Sequence, residues 1–138
     1  MKKISILIVL IAIIAAFFYF WQGDKQIEPQ NLNSGGNTIS VLFQFSEDDQ
    51  QEIDFEFKQA LNLVEITDRI TVQENWEFEF EDYGDMGILV NQIGDKSNGQ
   101  NNSYWQYFVD SEQPQISADK YFPNDKDYIE WKFIESEF

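Results

Sequence analysis

Three aromatic segments follow one another near the end of the 138-residue chain: YWQYFV at 104–109, ADKYF at 118–122 and DYIEWKF at 127–133. Together they supply the last strands and connections of a domain. As a strand, the first segment places Trp105 and Tyr107 on one face, because side chains alternate along a strand. Tyr104 and Gln106 then share the opposite face. One of the two faces is expected to belong to the core.

The beginning of the domain has the pattern of a β-hairpin. Apolar side chains occupy every second position in its first half, at Ile39, Val41, Phe43 and Phe45. Residues 46–51 are polar, and alternation resumes with Ile53, Phe55 and Phe57. Two alternating runs around a short polar turn predict a hairpin with one buried face.

A single helix is predicted after the hairpin. Asn62 is followed three positions later by Glu65, which is the signature of a capping box. Leu63, Ile66 and Ile70 then recur at helical spacing. The pattern predicts a helix of about three turns that lies across the apolar face of the hairpin.

Strand periodicity returns from residue 75 onwards. Trp76, Phe78 and Phe80 alternate with glutamates, and the segment GILVNQIG at 87–94 reads as a further strand bounded by glycines. Residues 95–103 are predicted to be a polar loop. The local pattern therefore predicts an α+β domain.

The N-terminus predicts a membrane segment. Lys2 and Lys3 precede an apolar run at 4–21, which is near the lower limit for spanning a bilayer. The lysines favour an N-terminus inside the cell membrane, with the rest of a single-pass protein outside the cytoplasm. A cleaved signal peptide is the alternative. Bulky aromatics follow Ala15 and Ala16, where a cleavage site favours small and polar residues, so residues 1–21 are predicted to be an uncleaved anchor.

The remaining chain divides into a linker and one domain. Residues 22–37 have almost no apolar content and carry Pro29, Gly35 and Gly36, which predicts a flexible linker. Residues 38–138 are then a single domain, and no internal repeat is visible in them.

Charge and residue types exclude most chemistry. The formal net charge is −16, and because residues 1–23 carry +2, the rest carries −18. Such a surface repels nucleic acid, and its ordinary role is solubility.

The absence of histidine and cysteine removes thiol nucleophiles, Ser-His-Asp triads, nearly all zinc sites and the commonest axial ligand of cobalt or iron. Pairs among 25 acids arise by chance, so they are only a weak signal for carboxylate catalysis. The chain is predicted to be a non-enzyme that requires no cofactor.

No calcium site is predicted either. The segment DKSNG at 95–99 loosely matches a calcium loop, but its glycine comes one place early and no glutamate closes it at position twelve. NDKD at 124–127 is a polar turn, and Glu77, Glu79 and Glu81 lie on a solvated strand face.

The three aromatic segments, together with GILVNQIG at 87–94, resemble the transcobalamin-like C-terminal domain. This is the small β-grasp module that closes over cobalamin in the animal carriers, and it also occurs in uncharacterised bacterial surface proteins. YWQ at 104–106 is particularly similar to the carriers, as is AD at 118–119 followed by Tyr121. The resemblance covers residues 38–133 and implies a mixed sheet packed on a single helix.

The resemblance also implies a ligand site on the strand at 104–109, with Tyr104, Trp105, Gln106 and Tyr107 facing a cobalamin-like ligand. For Trp105, a position in the core is an equal interpretation. In the carriers the ligand lies between this module and a helical barrel that this chain lacks, so a second protein is expected to complete the site. The implied function is a membrane-tethered, extracytoplasmic ligand-binding module. The alternative is a cell-surface module that binds protein or glycan.

The sequence departs from the family pattern at two turns. Bacterial members usually have Asn-Gly after the aromatic strand, where this chain has Asp110-Ser111. The usual Asp-Gly-Asp before the last strand appears as NDKD at 124–127, without the glycine. A different turn type or a longer hairpin is expected at the first of these positions.

Overall fold

Two sheets and one helix form the domain in the computed structural model, which describes residues 35–136. The elements are β1 (Asn37–Gln44), β2 (Gln50–Phe57), α1 (Leu63–Glu74), β3 (Phe78–Asp82), β4 (Ile88–Ile93), β5 (Lys96–Ser97), β6 (Ser103–Val109) and β7 (Tyr128–Glu135). Short 3₁₀ segments lie at Gly84–Met86, Gln100–Asn102 and Ala118–Lys120. The α+β class is therefore confirmed.

The predicted membrane segment at 4–21 lies outside the described residues, as does most of the predicted linker at 22–37. Asn37, its last residue, already begins β1. Between residues 35 and 136, no helix has the length and apolar character needed to cross a bilayer.

The larger sheet has the strand order β2-β1-β7-β6. The predicted hairpin is present, with β1 and β2 antiparallel, while β1 runs parallel to β7 in the centre of the sheet. β6 completes the sheet by antiparallel pairing with β7. The sheet is thus mixed, and its central pair joins the first and last strands of the domain.

The helix α1 begins and packs as its sequence predicts. Asn62 and Glu65 form the reciprocal capping box, and Asn75 ends the helix in a left-handed conformation. Leu63, Ile66 and Ile70 are fully buried against the larger sheet. Trp131 Nε1 donates a hydrogen bond to Thr67 Oγ1 at 3.0 Å, which ties the central strand β7 to the helix.

A second sheet, with the order β3-β4-β5, departs from the simplest expectation of one sheet on one helix. Part of the predicted polar loop at 95–103 is the short strand β5, whose two residues pair with Gln92 and Ile93 of β4. A tight turn through Gly94 brings β5 back along β4, and this glycine has a φ of +59°. A two-residue strand of polar residues has no periodicity by which to recognise it.

The two turns that depart from the family pattern both adopt backbone conformations that favour glycine. Asp110 and Ser111 have φ values of 47° and 70°, and they close a two-residue turn between Val109 and Glu112. Positive φ at both central positions is the geometry that Asn-Gly favours. Lys126 also has a φ of 70°, where the family pattern has glycine. The expectation of a longer hairpin or a different turn type after β6 is therefore wrong, because Asp110 and Ser111 form a two-residue turn with positive φ values without a glycine.

Candidate functional site

The free edge of β6 lies on the side away from β7. A side chain, rather than a ladder of backbone hydrogen bonds, connects this edge to the second sheet. Asn98 Nδ2 donates to the carbonyl oxygen of Val90 in β4 at 2.8 Å. Its Oδ1 accepts from the backbone N–H of Trp105 in β6 at 2.9 Å. One carboxamide therefore bridges the two sheets at one end of the gap between them.

A second bridge lies at the other end of the gap, and we name residues 112–120, which provide it, the rim segment. Ser117 Oγ accepts from the N–H of Ile88 at 2.9 Å and lies 3.0 Å from the Ile88 carbonyl oxygen, to which it donates. Asp119 Oδ1 accepts from the same N–H at 3.2 Å. The rim segment is therefore attached to the first residue of β4.

Gly87 permits this close approach. Its φ is +93°, and a Cβ at this position would lie 2.3 Å from Ser117 Cβ. Only glycine fits both the backbone conformation and the space. The Gly87 and Ala118-Asp119 motifs, which are far apart in the sequence, are thus two halves of one contact.

Between the two bridges lies a cleft of about 180 Å³, which we call the β4–β6 cleft. Its walls are residues 88–90 of β4 and 105–107 of β6, with residues of the rim segment across its mouth and Trp131 at its base. Because the N–H of Trp105 points at Asn98, alternation along the strand directs the backbone groups of Trp105 and Tyr107 away from β7 and towards the cleft. Because the Trp105 N–H is already bonded to Asn98, the backbone groups directed towards the cleft that remain are the Trp105 carbonyl and the N–H and carbonyl of Tyr107.

Three of the four residues predicted from the sequence line this cleft. Trp105 and Tyr107 are only 5% and 8% exposed, so most of each ring is core, as the interpretation of Trp105 as a core residue anticipated. Gln106 is half-buried, and its Oε1 accepts from Gln113 Nε2 of the rim segment at 3.1 Å. Tyr104 is exposed on the face of the sheet away from α1 and does not line the cleft.

The two buried rings are held by hydrogen bonds at their polar ends. Trp105 Nε1 donates to the carbonyl oxygen of Lys96 at 2.9 Å. The Tyr107 hydroxyl donates to the carbonyl oxygen of Ile116 at 2.7 Å. Burial, with a smaller effect of the Asp119 charge, raises the pKa of Tyr107 to about 12. The phenol therefore stays protonated at neutral pH and continues to hold the rim segment in place.

Sequence reasoning did not assign a role to the opposite wall and the rim. Leu89 and Ile116 line the cleft and are 44% and 49% exposed, so they form an apolar mouth. Gly87 and the Ala118-Asp119 pair were visible as motifs, but nothing in their spacing indicated that they meet. No local signal marks Ile116.

Among residues 35–136, no three acidic side chains converge as ligands for an ion. The NDKD segment at 124–127 is engaged in structure, because Asp127 Oδ2 accepts from Tyr121 and from the N–H of Asn124. Asp125 Oδ1 accepts from the N–H of Thr38, at the start of β1.

Known proteins resemble this chain in fold more than in sequence. Residues 70–135 match the model of a family described as a domain of unknown function, DUF4430. No curated protein matches by sequence. A proposed metal-binding protein from Ruminococcus gnavus ATCC 29149 aligns with 73% of this chain and 97% of its own, at 22% identity and a TM-score of 0.49. Haptocorrin in complex with Cbi aligns at 14% identity and a TM-score of 0.56, over 70% of this chain but 26% of the haptocorrin chain. The chain therefore spans only part of haptocorrin, and their likeness is consistent with a transcobalamin-like fold.

Proposed function

We propose that this chain is a non-catalytic ligand-binding module of the β-grasp type, and that a corrinoid-like or other small ligand binds at the β4–β6 cleft. The observation that carries the proposal is the composition of that cleft. It combines the segment Trp105–Tyr107, which the family resemblance nominates, with apolar walls and a few polar groups. Small-molecule sites typically have this combination.

The size of the cleft limits how such a ligand binds. Pockets that enclose a drug-sized ligand measure about 300–1,000 Å³, whereas this cleft measures about 180 Å³. A corrin ring is too large to enter, so only an edge or a side group of it is expected to do so. The rest stays exposed unless a second protein covers it, because binding must offset the loss of rigid-body freedom.

The polar groups of the cleft suit an amide. The Trp105 carbonyl and the backbone N–H and carbonyl of Tyr107 are directed towards it, and the Gln106 carboxamide lies at its mouth. Corrinoids carry amide side groups around the ring, and an amide both donates and accepts hydrogen bonds. An amide side group between Leu89 and Ile116 would therefore find polar partners inside the cleft and apolar contacts at its mouth.

The location that we propose is the outer side of the cell membrane. This part of the proposal rests on the sequence of residues 1–21, whose apolar run follows two lysines. A tether of this kind would hold the acidic domain near the surface, where a partner protein could complete the site.

The test is calorimetric titration of the full chain, in a non-ionic detergent, with cobinamide and with cyanocobalamin. We expect weak, saturable binding, and we expect Gln106→Ala to weaken it at least about threefold by removing one hydrogen bond. Trp105→Ala is a poor probe, because the cavity left by a buried ring destabilises the fold.

Gln115→Ala provides the matched control, because Gln115 is an exposed amide of the rim segment that does not line the cleft. Tyr104→Ala tests the assignment of the cleft itself and is expected to leave binding unchanged. Absence of saturation up to about millimolar ligand, where the binding free energy is only about 4 kcal/mol, would refute a corrinoid ligand.

The alternative, a module that binds protein or glycan at the cell surface, is favoured by one observation. Met86, Leu89 and Ile116 are exposed apolar residues, and the last two lie at the mouth of the cleft. Exposed apolar residues that cluster in this way often mark contacts with a partner. Two results together would support this alternative function. Corrinoids would fail to bind, and Leu89→Ser and Ile116→Ser would each reduce attachment of the protein to intact cells or to purified cell wall.

A further inference from the structure

A glutamate is buried on the face of the larger sheet that is turned away from α1. Glu130 lies in β7, between the core residues Ile129 and Trp131, so its side chain projects from the opposite face. Its register neighbours are Leu42 in β1 and Phe108 in β6. Glu130 is only 8% exposed. A carboxylate is seldom buried to this degree without being fully paired.

The Glu130 carboxylate is only half paired. Its Oε1 accepts from Lys132 Nζ at 2.8 Å. Its Oε2 is buried and has no hydrogen-bond partner among the described residues. A buried acceptor without a partner is costly, and a ligand that supplies the missing donor removes that cost.

The same lysine also lies over an aromatic ring. Lys132 Nζ is 4.7 Å from the centroid of the Phe108 ring, which is within the range of a cation–π interaction. Phe108, Glu130 and Lys132 form what we call the Glu130 site. In it, a carboxylate and a ring face hold a cation, and the cation is the chain's own ammonium group.

We propose that the Glu130 site binds a guanidinium group from outside the chain, which displaces the Lys132 ammonium. A guanidinium presents two parallel N–H donors and can bind both carboxylate oxygens at once, whereas the ammonium of Lys132 reaches only Oε1. Its planar face also stacks on an aromatic ring better than an ammonium does. Lys132 lies on a flexible stem and is partly exposed, so it can turn out into water.

A metal ion is a poor occupant of this site. Calcium needs six to eight oxygen ligands, and no group of three acidic side chains in residues 35–136 could hold an ion. The net charge of −18 outside the N-terminal segment favours approach of any cation. The two parallel N–H donors of a guanidinium match the two oxygens of the Glu130 carboxylate, so a guanidinium is favoured over other organic cations. This inference does not depend on the β4–β6 cleft or on its ligand.

The test is titration of the full chain, in a non-ionic detergent, with N-acetyl-arginine amide and N-acetyl-lysine amide. Binding is followed by calorimetry and by NMR shifts of the Phe108 and Lys132 amides. We expect the arginine amide to bind at least about fivefold more tightly than the lysine amide. Glu130→Gln is expected to weaken arginine binding at least about tenfold. Lys132→Met is expected to strengthen it, because the internal competitor is gone.

Free arginine distinguishes two sources of the guanidinium group. If free arginine binds as well as the blocked amide, the site takes a soluble guanidinium ligand. If only the blocked amide binds, the natural occupant is an arginine side chain of a protein, because the blocked amide, like a residue within a chain, lacks the charged α-amino and α-carboxylate groups of the free amino acid.

Glu135→Gln is the matched control, since Glu135 is an exposed glutamate of the same strand and its loss changes the net charge equally. Equal weakening by Glu130→Gln and Glu135→Gln would overturn the proposal in favour of unspecific charge attraction. Equal affinity for the two amides would also overturn it. Phe108→Leu removes the ring without changing the charge and is expected to weaken arginine binding. Thermal unfolding of each variant verifies that the domain is intact.

Discussion

Along one edge, β6 pairs with β7 residue by residue from Ser103 to Val109. Along its other edge, the Asn98 side chain links it to β4, and the rim segment, which Ser117 attaches to β4, lies across the rest of the gap. The ladder buries Trp131 and Tyr107 as register neighbours in the core. The second edge depends on Asn98 at one end and Ser117 at the other, and it leaves the β4–β6 cleft between them. The ladder therefore stabilises the domain, while the bridged edge leaves backbone groups available for a ligand.

The largest loss of stability is expected for a substitution in the β6–β7 ladder. Trp131→Ala removes a ring that is 2% exposed and, with it, the N–H that donates to Thr67 Oγ1. We expect a loss of about 3–5 kcal/mol in the free energy of unfolding, measured by urea denaturation. Phe122→Ala is the control, because Phe122 is an exposed aromatic. Equal losses for both variants would show that the ladder side does not carry the stability.

The next effect is expected where the rim segment meets β4. Gly87→Ala places a Cβ against Ser117 at a backbone conformation reserved for glycine, and we expect a loss of about 2–4 kcal/mol. Gly99→Ala is the control, because Gly99 also has a positive φ but has no atom within 4 Å of the added Cβ. It is expected to lose only about 1–2 kcal/mol.

Amide exchange separates local from global effects in the Gly87→Ala variant. The N–H of Ile88 is expected to lose protection, because its partners Ser117 and Asp119 are displaced. Ladder amides of β6 should keep theirs when normalised to global stability. Uniform loss of protection along β6 would contradict the distinction between its two edges.

A smaller effect is expected at the other bridge. Asn98→Ala removes both hydrogen bonds that link Val90 to Trp105, and we expect a loss of about 1–3 kcal/mol. The backbone N–H of Trp105 should exchange faster, which NMR measures directly. Asn91→Ala, at an asparagine of β4, is the control. Unchanged exchange at Trp105 would show that this N–H is protected by something other than Asn98.

The difference between the two edges also explains how far the sequence could predict the fold. Alternation predicted β6 and the shared face of Trp105 and Tyr107, and the capping box predicted the start of α1, because both signals are local. The bridges by Asn98 and Ser117 join residues distant in sequence through single side chains, so they have no periodicity. The family resemblance proposed a ligand site at residues 104–107, but nothing in the sequence indicated that residues 88–90 lie opposite this strand.

Glu130 illustrates the same limit on the outer face. An acidic residue alternating with Ile129 and Trp131 is the ordinary pattern of a solvated strand face. Its register neighbours Leu42 and Phe108 lie beside it only after β7 has paired with β1 and with β6. The alternation of residues along a strand therefore predicts on which face a side chain lies, but it does not predict which side chains of neighbouring strands bury it.

The smallest effect is expected at the turn that connects β6 to the rim segment, where the sequence lacks a glycine. Ser111 holds a φ of 70°, which glycine adopts without steric cost. Ser111→Gly is therefore expected to stabilise the domain by about 1 kcal/mol, which raises the melting temperature by roughly 4–8 °C for a domain of this size. Ser97→Gly, in the strand β5, is the opposite control and is expected to destabilise. The turn lies at the end of the β6–β7 ladder, so the gain in stability is expected without any change in amide exchange at Ile88. That result would show that the turn stabilises the ladder and does not affect the edge of β6 that faces β4.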